Sequence, residues 1–135
     1  MMGCLFCKIV KGEIDYAKIY EDDDTLAFLD IHPIAKGHCL VIPKKHFENI
    51  FNIEESILQK VISAGKSISG KIKKSLGADG VNLINASGEA AEQTVFHFHL
   101  HIIPRFQNDG LKIHEWWQIK AINIAELKRL AEEIK

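Results

Sequence analysis

Apolar residues recur along this chain with two periods. Leu5-Phe6 and Ile9-Val10 stand three to four residues apart, which predicts a short helix over residues 4–11 that Gly12 ends. Ala17–Glu21 and Thr25–Asp30 read as two strands joined by a solvated turn at Asp22-Asp23-Asp24. Pro33 to Gly37 is a connection, and His38–Pro43 is an apolar strand. The helical period returns at Ile57, Leu58, Val61, Ile62, Ile68, Ile72 and Leu76. Asn52 and Glu55 form a capping box before that stripe, Lys71, Lys73 and Lys74 suit the negative end of the helix, and Gly77 stops it. Val81–Asn85 and His97–Arg105 are strands, and a second capping box, Asn123 with Glu126, opens a final helix carrying Ile124, Leu127, Leu130 and Ile134 on one face. Consecutive strands with a short first connection predict an α+β fold. It has an antiparallel sheet with a long helix and a C-terminal helix packed on it. No repeat or Pro/Gly/Ser-rich linker divides the chain, so residues 1–135 read as one domain.

Composition narrows the function classes. Hydrophobic residues make up 47% and charged residues 26%, enough apolar surface for a core. Seventeen basic and eighteen acidic residues nearly cancel to −1, which excludes a strongly basic nucleic-acid binder and an acidic tail protein. No apolar run is long enough to span a membrane, and no secretory signal is expected at the start. Three cysteines, an odd number, argue against a disulfide framework and for reduced thiols in the cytoplasm. Seven histidines are the unusual feature.

Three of them lie in the segment His97-Phe98-His99-Leu100-His101. Strand alternation puts these imidazoles on one face and Phe98, Leu100 and Ile102 on the other, which suits a core. Such a row has two chemical uses. It can bind a metal, or it can work on phosphate, where a neutral imidazole is a nucleophile and a cationic one binds anions. The upstream loop from Asn85 to Thr94 offers backbone N–H groups, an amide and a hydroxyl to phosphate oxygens. Cys4-x-x-Cys7 is half of a zinc site, but alone it reads as well as two helix residues with no joint role. Cys39 reads as a small buried residue, and His32 and His114 as surface residues.

The stretch from Asn85 to Arg105 resembles the signature of the histidine triad (HIT) superfamily of nucleotide hydrolases and transferases. Phe6 to Ile14, Leu26 to Pro33 and Gly37 to His46 resemble the family's other blocks, and length and motif order are similar to its purine nucleoside phosphoramidase-like branch. The resemblance implies an enzyme acting at the α-phosphate of purine nucleotide derivatives through a covalent nucleotidyl-histidine. It implies that His99 attacks phosphorus, that His101 holds a phosphate oxygen and that His97 organises the row or binds a metal. It implies that Asn85, Gln93 and Thr94 ligate phosphate and that Asp30 binds the ribose hydroxyls. The base would lie in a slot of Leu5, Phe6, Ile9, Phe28 and Ile31 with His38 nearby. By spacing alone those apolar residues are ordinary core. Glu92 stands where the family usually has Gly, and Asn85-Ala-Ser87-Gly88 replaces Asn-Asn-Gly. Some bacterial members, and the related hexose-phosphate uridylyltransferases, share a CxxC near the start. This resemblance implies a closed structural zinc site of Cys4, Cys7, His46 and His97. It also implies a homodimer, with the long helix and Trp116-Trp117 as interface candidates. Two further readings are a dinucleoside polyphosphate hydrolase and a zinc-stabilised nucleotide-binding scaffold with little catalysis. A metal hydrolase using the row itself would need a carboxylate on that face, and the adjoining sequence supplies none.

Overall fold

The computed structural model describes residues 3–116 and 123–135, so Trp117 lies outside the described residues. Helix α1 (Leu5–Val10) precedes strands β1 (Lys18–Glu21), β2 (Thr25–Leu29) and β3 (Cys39–Pro43); helix α2 (Glu55–Leu76), strands β4 (Gly80–Ile84) and β5 (Leu100–Arg105) and helix α3 (Ile124–Ile134) follow. The strands form one sheet in the order β1-β2-β3-β5-β4, with every neighbouring pair antiparallel. The inner strands β2, β3 and β5 bury residues on both faces of the sheet. On one face α2 lays Val61, Ala64, Ile68 and Ile72 over Ala27, Cys39, Val41, Leu100 and Ile102. On the other, Phe6 and Ile9 of α1 pack on Leu26, Phe28, Leu40 and Ile42.

Local chemistry sets the boundaries. Cys4 precedes α1, and its sulfur accepts the Cys7 N–H at 3.4 Å. The acidic turn is solvated as expected, with the Asp22 carboxylate accepting the N–H groups of Asp24 and Thr25. The capping box expected at α2 does not form. The residue before the helix is Glu54, without a side-chain cap, because Asn52 is spent in the preceding turn, where its oxygen accepts the Asn49 N–H at 3.0 Å. Gly77 ends α2 at φ +70°. Gly37 is required by space as well as by its φ of +86°, since a Cβ there would lie 2.5 Å from Leu76 Cδ1.

Two further expectations are revised. The histidine strand is shorter than predicted: β5 begins at Leu100, and His97 to His99 lie before the ladder because the Phe98 N–H bonds the Phe47 carbonyl at 2.6 Å. Alternation survives, and Phe98, Leu100 and Ile102 all sit in the α2-side core. Helix α3 forms with Asn123 as its cap, the oxygen accepting the Glu126 N–H at 2.9 Å. It does not pack on the sheet, and none of its residues is buried. The sheet face it would need is already covered by α2. Among the described residues no helix is long and apolar enough to cross a membrane.

Candidate active site

The cross-strand register brings Phe28, Leu40, His101 and Ile84 side by side on the α1 face. His99 joins them, its ring centroid 5.0 Å from that of His101 and 5.2 Å from Phe6. His99 Nδ1 lies 2.8 Å from the His97 carbonyl oxygen. A carbonyl only accepts, so Nδ1 carries the proton and Nε2 keeps a free lone pair. Burial lowers the His99 pKa, against the partial support of that carbonyl and of Asp30. The result is a neutral imidazole with one nucleophilic nitrogen. The His99 carbonyl in turn receives the Asn85 amide at 2.9 Å, and Ser87 Oγ donates to the Asn85 oxygen at 2.7 Å. Asn85, for which the resemblance implies phosphate ligation, here holds the backbone at His99.

His101 is oriented from behind. The Ile34 N–H donates to His38 Nδ1 at 3.1 Å, so neutral His38 carries its proton on Nε2. That nitrogen lies 2.9 Å from His101 Nδ1 and 3.6 Å from Asp30 Oδ2. A donor at Nδ1 leaves the His101 proton on Nε2. Burial, together with His99 and His38, pushes the His101 pKa down to about 4. His101 thus presents an N–H without a positive charge, where a cationic anion binder had been one option. His38 was expected near the base. It is 2% exposed and absent from the cleft wall, and its work is to set the His101 tautomer.

A cleft of about 370 Å³ opens in front of these imidazoles. Leu5, Phe6, Ile9, Phe28 and Ile31 all line it, together with Asp30, Thr94, His99 and His101. Asp30 is tied by the His32 N–H to its Oδ1 at 2.8 Å, which leaves Oδ2 toward His38. Ile14, Tyr16 and Leu40 line the cleft too and were not singled out from sequence. Strand alternation from Phe28 and the register partner Leu40 could have found one of them; Tyr16 sits before β1 with no periodic signal. Gln93 is not in the cleft. It is 4% exposed, its oxygen takes the Gly88 N–H, and its amide donates to the carbonyls of Glu48 and Val95. Its groups hold the loop in shape, with both amide hydrogens taken by backbone carbonyls.

His97 faces away from the cleft and is fully buried. Its Nδ1 lies 3.4 Å from Cys4 Sγ, 3.6 Å from Cys7 Sγ and 3.2 Å from His46 Nδ1. Cys7 Sγ is 3.4 Å from His46 Nδ1, and the four ligand atoms lie within 4.8 Å of one another. Tetrahedral zinc, with Zn–S of about 2.3 Å and Zn–N of about 2.0–2.1 Å, sets S···N edges near 3.5 Å and N···N edges near 3.3 Å. The donor set fits that ion. His97 Nε2 lies 2.8 Å from the Pro43 carbonyl and donates to it, which frees Nδ1 as the ligand atom, the usual support behind a metal-bound histidine. Without metal, burial and the neighbouring Cys4 raise the Cys7 pKa. Burial of Cys39 alone pushes its thiol up to about 12, as suits a core residue. His97 thus joins both clusters, with its ring among the candidate metal donors and its carbonyl on His99.

The HIT domain family model matches residues 11–108. The adenosine 5'-monophosphoramidase hnt1 of Schizosaccharomyces pombe is 39% identical over 133 residues, covering 98% of this chain and 96% of that protein. A crystal structure from Streptococcus mutans UA159 superposes with a TM-score of 0.94 at 43% identity, over 99% of this chain and 84% of that one. A zinc-bound histidine triad family protein from Mycobacterium smegmatis has a TM-score of 0.80 at 41% identity, over 83% of this chain and 81% of that one.

Proposed function

The chain belongs to the HIT family, and from that premise we propose that it is a nucleotide hydrolase that cleaves purine nucleoside phosphoramidates at the α-phosphate. The observation that carries the reading is the His99 imidazole, neutral, with Nδ1 tied to a carbonyl and Nε2 free at the wall of an apolar cleft that ends in a carboxylate. The base enters the slot of Phe6, Ile9, Phe28 and Ile31, and Asp30 accepts from the ribose hydroxyls. His99 Nε2 bonds to the α-phosphorus while the P–N bond breaks, its electron pair going to the amine nitrogen, which takes a proton from solvent. Water then attacks phosphorus, Nε2 recovers its pair, and the nucleoside monophosphate leaves with release of a proton. The His101 Nε2–H donates to a phosphoryl oxygen throughout, a preset dipole where charge develops.

Dinucleoside polyphosphates are the second reading. Their leaving group is strongly anionic, and among the described residues no Lys or Arg lines the cleft, which favours the amine. The four donors Cys4, Cys7, His46 and His97 would hold zinc as a closed structural site that fixes α1 against the triad. Bound there, zinc supplies rigidity and no chemistry on substrate. Thiolate ligands need a reducing compartment, which fits the cytoplasm. The exposed stripe of Ile124, Leu127, Leu130 and Ile134 supports a homodimer, which light scattering of the full chain would test. The activity test is incubation with adenosine 5'-phosphoramidate. Release of AMP by the wild type and its loss in His99→Ala are expected; equal release by both would overturn the reading.

A further inference from the structure

A second cleft, of about 360 Å³, meets the first at Ala86, Glu92 and His101. Its wall contains His101 and not His99. In an in-line displacement the departing group moves away from the nucleophile, and the second space borders His101 and not His99. The wall is otherwise apolar in the main, with Ile34, Ile84, Ile103 and Trp116. Glu92 is the one residue of full charge lining it among the described residues, and no Lys or Arg borders either cleft.

Glu92 has two further properties. It sits at φ +66°, in the left-handed region where glycine costs least and a side chain is strained. Its carboxylate has no hydrogen-bond or ion-pair partner among the described residues, although other exposed carboxylates here, such as Glu21 and Asp24, pair with lysines. An unpaired anion thus stands at the junction between the reacting phosphate and the exit space. It repels a second phosphate or a sulfate there and attracts a cation.

We propose that this second cleft is the leaving-group subsite and that Glu92 selects amine leaving groups that carry a further positive charge on an apolar stem. The proposal rests on the phosphoramidase reading and deepens it. Ile34, Ile84 and Ile103 would cover the methylene stem, and the distal ammonium would lie against the Glu92 carboxylate.

The test uses three adenosine 5'-phosphoramidates whose amines have equal length and end in an ammonium, a methyl or a carboxylate. Wild-type kcat/KM should fall in that order, with the ammonium favoured over the methyl by about two- to fivefold, the worth of one solvent-exposed ion pair. In Glu92→Gln and Glu92→Gly that ratio should fall to near one, while a merely structural role would lower all three rates together. Added salt should shrink the wild-type preference. Equal wild-type rates for the three compounds, or a preference that survives both substitutions, would overturn the proposal. No turnover of any of them by the wild type would instead overturn the phosphoramidase reading, and the proposal with it.

Discussion

Removing the His38 imidazole tests whether a residue outside the cleft controls the chemistry inside it. In His38→Ala the Ile34 N–H loses its acceptor and His101 Nδ1 loses its donor. Each buried polar group left unpaired costs about 1–3 kcal/mol, so the variant should lose about 2–6 kcal/mol of stability. The second consequence is specific to catalysis. Without a donor at Nδ1, the His101 proton is free to move there, and Nε2 then accepts where it should donate. A single preset donor to a developing oxyanion is worth about 10²- to 10³-fold in rate. Because the correct tautomer stays partly populated, kcat/KM for adenosine 5'-phosphoramidate should fall by about 10²-fold, the lower end of that range. Urea unfolding measures the first effect, steady-state kinetics the second, and nitrogen-15 chemical shifts of His101 report which ring nitrogen is protonated. A folded His38→Ala with wild-type kcat/KM and an unchanged His101 Nε2–H would refute this reasoning.

Zinc analysis of the purified protein should show one ion per chain, lost in the Cys4→Ser/Cys7→Ser double variant together with a lower melting temperature; a metal-free wild type would remove the site. Gln93→Ala leaves the Gly88 N–H and the Glu48 and Val95 carbonyls without their partner, and it should cost about 2 kcal/mol in urea unfolding. Acid should destabilise the fold in a defined window. His101 binds its proton near pH 4 when folded and near 6.5 when unfolded, so stability is level above 6.5 and falls as pH drops toward 4. That one group accounts for about 2 kcal/mol between pH 7 and pH 4.5, read as a shift in urea midpoint, and an unchanged midpoint would contradict it. Gly37→Ala should lower the melting temperature, because its Cβ meets Leu76 Cδ1 and its φ is positive.

Much of this architecture could be read from residue order. The two periods located both sides of the α2-covered core, since Phe98, Leu100 and Ile102 alternate with the histidines and Val61, Ile68 and Ile72 recur at helical spacing. The four candidate metal donors come from three separate segments, and only the family pattern joined them before the fold did. Side-chain targets were less legible. Asn85 and Gln93 are polar residues of the loop before the histidine row, and their amides bond backbone carbonyls because an amide shielded from water must find partners wherever the chain supplies them. His38 follows the cleft residues Asp30 and Ile31 along the chain, but its ring is drawn under His101 by the Ile34 N–H, a contact no spacing announces. Asn52 shows the same competition at the start of α2, where a local turn took the side chain that the helix needed. The stripe on α3 was read correctly as apolar. Its burial within the chain was not, because periodicity says which face is apolar and not what covers it.

The central claim is covalent catalysis at His99 Nε2, and intact-protein mass spectrometry of acid-avoiding, rapidly quenched reactions addresses it most directly. Wild type mixed with adenosine 5'-phosphoramidate should gain the mass of one adenylyl group, mapped to the peptide containing His99 and absent from His99→Ala. Rapid AMP release with no adduct at any quench time, or an adduct that persists in His99→Ala, would contradict it.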